Sequence, residues 1–199
     1  MNFFLGISSV IDWITTKIGQ AMWWLTLFMV LVGFTNVVTR YVGRELGISL
    51  GGSLLIALQT YAYDLVFLLG AAYVFRKDAH VRVDIIYSSL SRRTRAGIDI
   101  FGILVFLIPF AIMGIYFSQG YVETSWAQQE VNRNAGNIPV YPIKTAIIVM
   151  FWLLIAQGIS ELIKNIAFLS GHPNSRSIHA AEDETEPSDG GAADQVEAV

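Results

Sequence analysis

Asp64 is the residue in this sequence whose type and position most demand a chemical account. It lies inside the run LLIALQTYAYDLVFLLGAAYVF, from Leu54 to Phe75, where no other side chain is charged. A carboxylate in so apolar a stretch is costly in lipid and therefore faces protein or water. Two roles fit it: an ion or proton coupling site, or a buried hydrogen-bonding group that fixes packing within the chain or against another subunit. A coupling site gathers several convergent polar groups, and the pattern offers only Gln59, Tyr61, Tyr63 and Asn36 nearby. The packing role is the expectation, because polar side chains join helices across lipid.

The other candidates exclude more than they suggest. Haem held between membrane helices needs axial ligands, most often histidine. The three histidines, His80, His172 and His179, all fall outside the apolar stretches. There are no cysteines, so disulfides, thiolate metal sites and cysteine nucleophiles are excluded. No P-loop, dinucleotide fingerprint, Ser/His/Asp set or zinc-ligand spacing occurs. Neither enzymatic activity nor a cofactor nor a metal is expected. Arg40, followed by Tyr41 and Arg44, reads as a snorkelling anchor beside an interfacial aromatic. Trp23, Trp24, Trp126, Tyr141 and Trp152 read as interface belt or packing residues. Glu123, Glu130 and Arg133 belong to a polar loop of about 25 residues that also holds Asn132, Asn134, Gly136 and Asn137. That loop is either merely solvated or a docking surface for a soluble partner, since rim charges steer association.

The elements that must position these residues follow from composition. The chain has 199 residues, of which 54% are hydrophobic and 15% charged, and a mean hydropathy of +0.52. Soluble domains carry about 25% charge, so the bilayer is the solvent that fits. Apolar stretches run from about Ala21 to Tyr41, Leu54 to Phe75, Ile98 to Phe117 and Ile143 to Phe168. Each approaches the ~20 residues that cross a ~30 Å hydrocarbon core. A backbone in lipid must satisfy its hydrogen bonds internally, so the fold class is all-α with four transmembrane helices. Pro109, midway through the third stretch, predicts a kink.

Lysines and arginines set the orientation. One side carries nine: Lys17, Arg76, Lys77, Arg82, Arg92, Arg93, Arg95, Lys164 and Arg176. The other carries Arg40, Arg44, Arg133 and Lys144. By the positive-inside rule both termini are cytoplasmic. The run Arg92-Arg93-x-Arg95 is explained by this topology and by anionic lipid, not by nucleic acid. Phe3–Ile18 and Val81–Arg95 each mix apolar and polar residues at helical spacing. They read as amphipathic helices lying at the cytoplasmic surface, or, equally for the first, as an extension of a spanning helix. Met1–Gln20 lacks a basic n-region and a small-residue cleavage site and is expected to stay on the protein. The chain thus divides into an N-terminal segment (1–20), a membrane domain (21–169) and a tail (170–199). From Gly171 onward seven acids face one base, Arg176, and large apolar residues are almost absent. The tail is expected to be disordered.

One stretch goes beyond a generic membrane protein. YAYDLVFLLGAAYVFRKDAHVRVD, from Tyr61 to Asp84, ends a span with a Gly-Ala-Ala step and crosses a basic turn into His80-Val81-Arg82-Val83-Asp84. It resembles the small membrane subunit of TRAP transporters, the DctQ-type family. Three further features match: Asn36-x-x-x-Arg40-Tyr41 closing the first span, the four-span layout, and Glu123-x-Ser125 followed by Ile138-Pro139-Val140-Tyr141-Pro142. The resemblance covers about Gly19 to Leu169. It implies a three-part importer in a bacterial inner membrane. A periplasmic substrate-binding protein captures an organic acid, and a large membrane subunit moves it on a sodium gradient. The small subunit scaffolds the large one. Carried over, Arg40, Asp64, His80, Arg82 and Asp84 are structural or subunit-contact positions, and none is a substrate ligand. The acidic tail is not part of that pattern. Independently, the chain lacks the inverted repeat and paired broken helices of a self-sufficient transporter. Two other readings are a homo-oligomeric transporter with Asp64 as the coupling carboxylate, and an anchor for a redox enzyme. The second is weakened by the histidine placement and the lack of cysteines.

Overall fold

Each apolar stretch folds into a helix longer than the stretch itself in the computed structural model, which describes residues 2–47, 52–77, 90–133 and 137–170. Helix α1 spans Asn2–Glu45, α2 spans Ser53–Arg76, α3 spans Arg92–Ala127 and α4 spans Tyr141–Leu169. All four are long and apolar enough to cross a membrane. The fourth is central. It packs against each of the other three, while α1 and α2 pack on one another.

The N-terminal segment is the first part of α1, not a separate helix. At 44 residues α1 is about 66 Å long, twice the hydrocarbon thickness. Its early turns meet α4 at Ser8–Ser160. Farther on, α1 runs antiparallel to α2. Thr16 receives a hydrogen bond from Arg76, Gly19 lies against Tyr73, and Gly33 lies against Gln59. Each step up α1 is matched by an equal step down α2, so one register holds over the whole contact. Small residues let the backbones approach. A Cβ added at Gly19 falls 2.4 Å from Tyr73 Cγ, and the buried residues of α2 are Ala57, Ala62 and Ala72.

Helix α3 begins at a cap where Ser91 Oγ accepts from Thr94 N–H at 3.3 Å. Arg92, Arg93 and Arg95 therefore sit in its first turn rather than on a separate surface helix. Residues 81–89, the rest of that expected amphipathic piece, lie outside the described residues. A π-helical turn over Ile103–Leu107 comes just before Pro109. Proline cannot donate to the carbonyl four residues back, and a wider turn absorbs the lost bond. Gly158 of α4 receives this turn: a Cβ there meets Leu107 Cδ2 at 2.8 Å. One turn later Ala111 and Ile115 pack on Phe151, with Ile147, Met150, Leu154 and Ile155 around them.

The polar outer loop is shorter than the sequence suggests, because α3 continues to Ala127. What remains includes a two-stranded hairpin that pairs Val131 with Pro139 and Asn132 with Ile138. Asn137 adopts φ 61° in its bend, a conformation asparagine tolerates better than most residues.

The α1–α2 register makes a direct prediction. Gly19→Ala costs about 1–3 kcal/mol by overpacking against Tyr73, seen as a lower melting temperature in detergent. Gly120→Ala on α3, where nothing lies within 4 Å of the added Cβ, leaves melting unchanged or raises it.

Candidate functional site

At the end of the bundle where α1 begins, polar side chains from three helices converge. Asp12 of α1 accepts from Gln157 Nε2 at 2.9 Å and from Ser160 Oγ at 2.8 Å, both on α4. Its other oxygen lies 2.8 Å from Lys164 Nζ, and Arg76 Nε of α2 stands 3.7 Å away. Lys164 also reaches Glu161 at 3.0 Å. Ser8 and Ser160 share a hydrogen bond of 2.7 Å. Ser8, Gln157, Ser160 and Lys164 are each no more than 2% exposed. Both amide hydrogens of Gln157 are used, on Asp12 and on Glu161, while its Oε1 is buried without a donor among the described residues. An ion pair this far from water holds only when its remaining lone pairs and protons are also bonded. Ser160 and Gln157 do that for Asp12.

In the sequence Lys164 counts only toward topology, and Asp12 is one of the polar residues of Phe3–Ile18 with no assigned role. The signal was spacing. Gln157, Ser160, Glu161 and Lys164 follow i, i+3, i+4, i+7 along one face of α4. Leu5, Ser8, Thr15 and Gly19 are buried on the complementary face of α1. The large apolar residues of the same segment point outward, with Phe3 75% and Trp13 62% exposed. This is inside-out by the standards of a soluble helix and ordinary in lipid.

The opposite end has its own clasp. Glu130 accepts from Ser125 Oγ at 2.8 Å and is bound by Lys144 of α4, whose ammonium also lies 4.0 Å over the Tyr121 ring. Trp126 donates to Thr145 Oγ1 at 2.8 Å and packs on Tyr141, ring centroids 4.4 Å apart. Lys144 holds the Glu130 carboxyl below the usual carboxylate range, aided by the Ser125 hydroxyl. Of the three loop residues singled out from sequence, Glu130 is thus built into the fold, whereas Glu123 and Arg133 are exposed.

Asp64 stands between the two clasps, near the middle of α2 and only partly buried. None of its four expected neighbours bonds to it. Gln59 packs on Gly33, Tyr61 donates weakly to the Ile138 carbonyl at 3.4 Å, Tyr63 stacks on Phe67, and the Asn36 carbonyl accepts from Thr39. Among the described residues no side chain hydrogen-bonds or ion-pairs with the Asp64 carboxylate. Arg40 is exposed near the far end of α1. His80, Arg82 and Asp84 lie outside the described residues, as do His172, His179 and the acidic tail.

Four apolar helices, charged groups turned inward and large apolar side chains turned outward define a multi-pass membrane protein. Residues 29–168 match the family model for tripartite ATP-independent periplasmic transporters, DctQ component. That match covers more than half of the chain, which therefore belongs to this family, the small membrane components of TRAP transporters. No curated protein and no solved structure matches it.

Two outcomes follow from the clasps. Asp12→Ala leaves Lys164 with Glu161 as its remaining carboxylate, a loss below the ~3–5 kcal/mol of a fully stranded buried charge; thermal melts of Asp12→Ala, Lys164→Met and the double variant measure the coupling. For Glu130 the sign is set by its depressed value. The unfolded carboxyl takes a proton near 4.5 while the folded one resists, so the contribution is whole at neutral pH and lost as pH falls through the folded value. Melting of the wild type therefore drops more steeply on acidification below about pH 4.5 than melting of Glu130→Gln.

Proposed function

We propose that this chain is the non-catalytic scaffold of a sodium-coupled importer of organic acids. It holds the large transport subunit in the bacterial inner membrane and helps to dock the periplasmic substrate-binding protein. The observation that carries the scaffold reading is Asp64, a carboxylate in mid-helix for which the described residues supply no partner. Leaving a charge at the centre of a spanning helix costs about 2.5–3.5 kcal/mol on insertion scales. A polar group from the large subunit removes that cost and makes Asp64 a contact between subunits. Arg40 extends the contact toward the outer end, and His80, Arg82 and Asp84 extend it at the turn after α2. Both termini are cytoplasmic in this reading. The hairpin, with Arg133 exposed and Glu130 bracing it, and the exposed Glu123 in the last turns of α3 then face the periplasm, where they meet the binding protein.

The family assignment supports the division of labour, since a component of a tripartite system works with others. So does the build of the chain: Asp12 with Lys164 and Glu130 with Lys144 clasp its helices together at both ends. Asp64→Leu is expected to cut recovery of a large multi-span membrane protein by tagged pull-down from native membranes about tenfold, roughly the ~1.4 kcal/mol of a lost polar contact. The variant's own melting temperature stays at or above the wild-type value, because no internal bond is lost. Reconstituted liposomes provide the decisive comparison. Solute uptake by this chain alone, abolished by Asp64→Asn, establishes the homo-oligomeric transporter instead; uptake only with the large subunit and the binding protein supports the scaffold.

A further inference from the structure

Beside the Asp12 clasp an open groove of about 420 Å³ lies between α1 and α2. Its polar lining includes Thr16, Lys17, Gln20 and Arg76, with Asp12 at its inner side and Trp13 at its edge. Two cations line this groove, Lys17 and Arg76, and Arg76 Nε stands 3.7 Å from Asp12 in an ion pair. Of the Arg76 guanidinium, only Nη1 has a hydrogen-bond partner among the described residues, the Thr16 hydroxyl; Nε is buried without one. Among the described residues Lys17 reaches only the Gln20 side-chain carbonyl oxygen, at 3.4 Å. The acids offset one of these two charges. Asp12 and Glu161 are both engaged by Lys164, so the five groups Asp12, Glu161, Lys164, Arg76 and Lys17 sum to one positive charge, exposed at Lys17. The Lys17 ammonium, with the guanidinium N–H groups of Arg76 that remain open to the groove, is suited to phosphate oxygens.

The surroundings say which phosphate. Trp13, Lys17, Gln20, Trp24, Leu27 and Leu31 follow one another at three- and four-residue steps along a single exposed face of α1. Trp13 is 62% exposed and Trp24 74%. The face therefore begins with an indole and a cation, the residues that favour the headgroup level, and continues as an apolar rail. From Lys17 to Leu31 it rises about 21 Å, more than half of a ~30 Å hydrocarbon core. A free ion has no use for the rail, whereas an acyl chain does.

We propose that this groove is a binding site for the headgroup of an anionic phospholipid, with the phosphate on Arg76 and Lys17 and an acyl chain along Trp24, Leu27 and Leu31. The site depends on membrane insertion, not on the scaffold role.

The full-length chain is incorporated into nanodiscs containing equal phosphatidylglycerol and phosphatidylcholine, and the lipids retained on release are counted by native mass spectrometry. Preferential retention of phosphatidylglycerol is expected. Lys17→Gln, which touches no buried contact, lowers that preference about fivefold, as for one basic residue near an anionic surface, and Arg76→Gln lowers it at least as far. Lys77→Gln, an exposed neighbour that does not line the groove, leaves it unchanged. Equal retention of the two lipids overturns the proposal, as does an equal loss in Lys77→Gln, which reports only general surface charge. Displacement of the lipid by millimolar inorganic phosphate also overturns it, because the ligand is then a free anion.

Discussion

In hydrocarbon an ionised side chain has no water to fall back on, and the Asp12–Lys164 pair is where this chain meets that constraint most fully. The pair links the first helix to the last, and Gln157 and Ser160 complete the hydrogen bonding that keeps both charges ionised away from solvent. Much else follows from it. Because the polar stripe of α1 must face α4, the phenylalanines and Trp13 of the same turns must face outward. Because Arg76 also comes to this junction, the end of α2 is brought to the same place, and the antiparallel register between α1 and α2 continues from there to Gly33 and Gln59.

The division between ends and middle has a physical logic. Polar clasps are directional and fix register, but each unsatisfied group in lipid is costly. They are placed where helices emerge toward the interface, at Asp12–Lys164 on one side and Glu130–Lys144 on the other. Between them the helices are held by close approach of small residues and by the Phe151 cluster. Dispersion contacts of this kind gain their strength from density rather than from direction. A bundle clasped at both ends and tightly packed between is suited to being a fixed support. The one charge left in the middle, Asp64, belongs to neither system.

The π-helical turn and the glycines illustrate how a local irregularity is absorbed. Pro109 removes a backbone donor, the helix widens over Ile103–Leu107, and Gly158 on α4 makes room for the resulting bulge of Leu107. The proline could be read from the chain as a defect in a helix. Its partner glycine could not, since the two are far apart in sequence and meet only through packing.

Four apolar spans and the family were legible in the sequence, because each rests on local hydropathy or on short motifs such as the run from Tyr61 to Asp84. Local patterns also showed that Asp64 was out of place. They understated helix lengths, since a hydropathy window ends where charges begin, whereas α1 continues through Asp12, which is bonded to α4, and α3 begins at Arg92. They passed over Asp12, Lys164, Gln157 and Ser160 because a polar residue announces itself as exposed by the logic of water. Only the tertiary structure, by bringing residues about 150 positions apart into contact, decided that these groups face one another. In lipid the inside of the bundle is the refuge for charge, and which charges share it depends on how the helices are arranged in space.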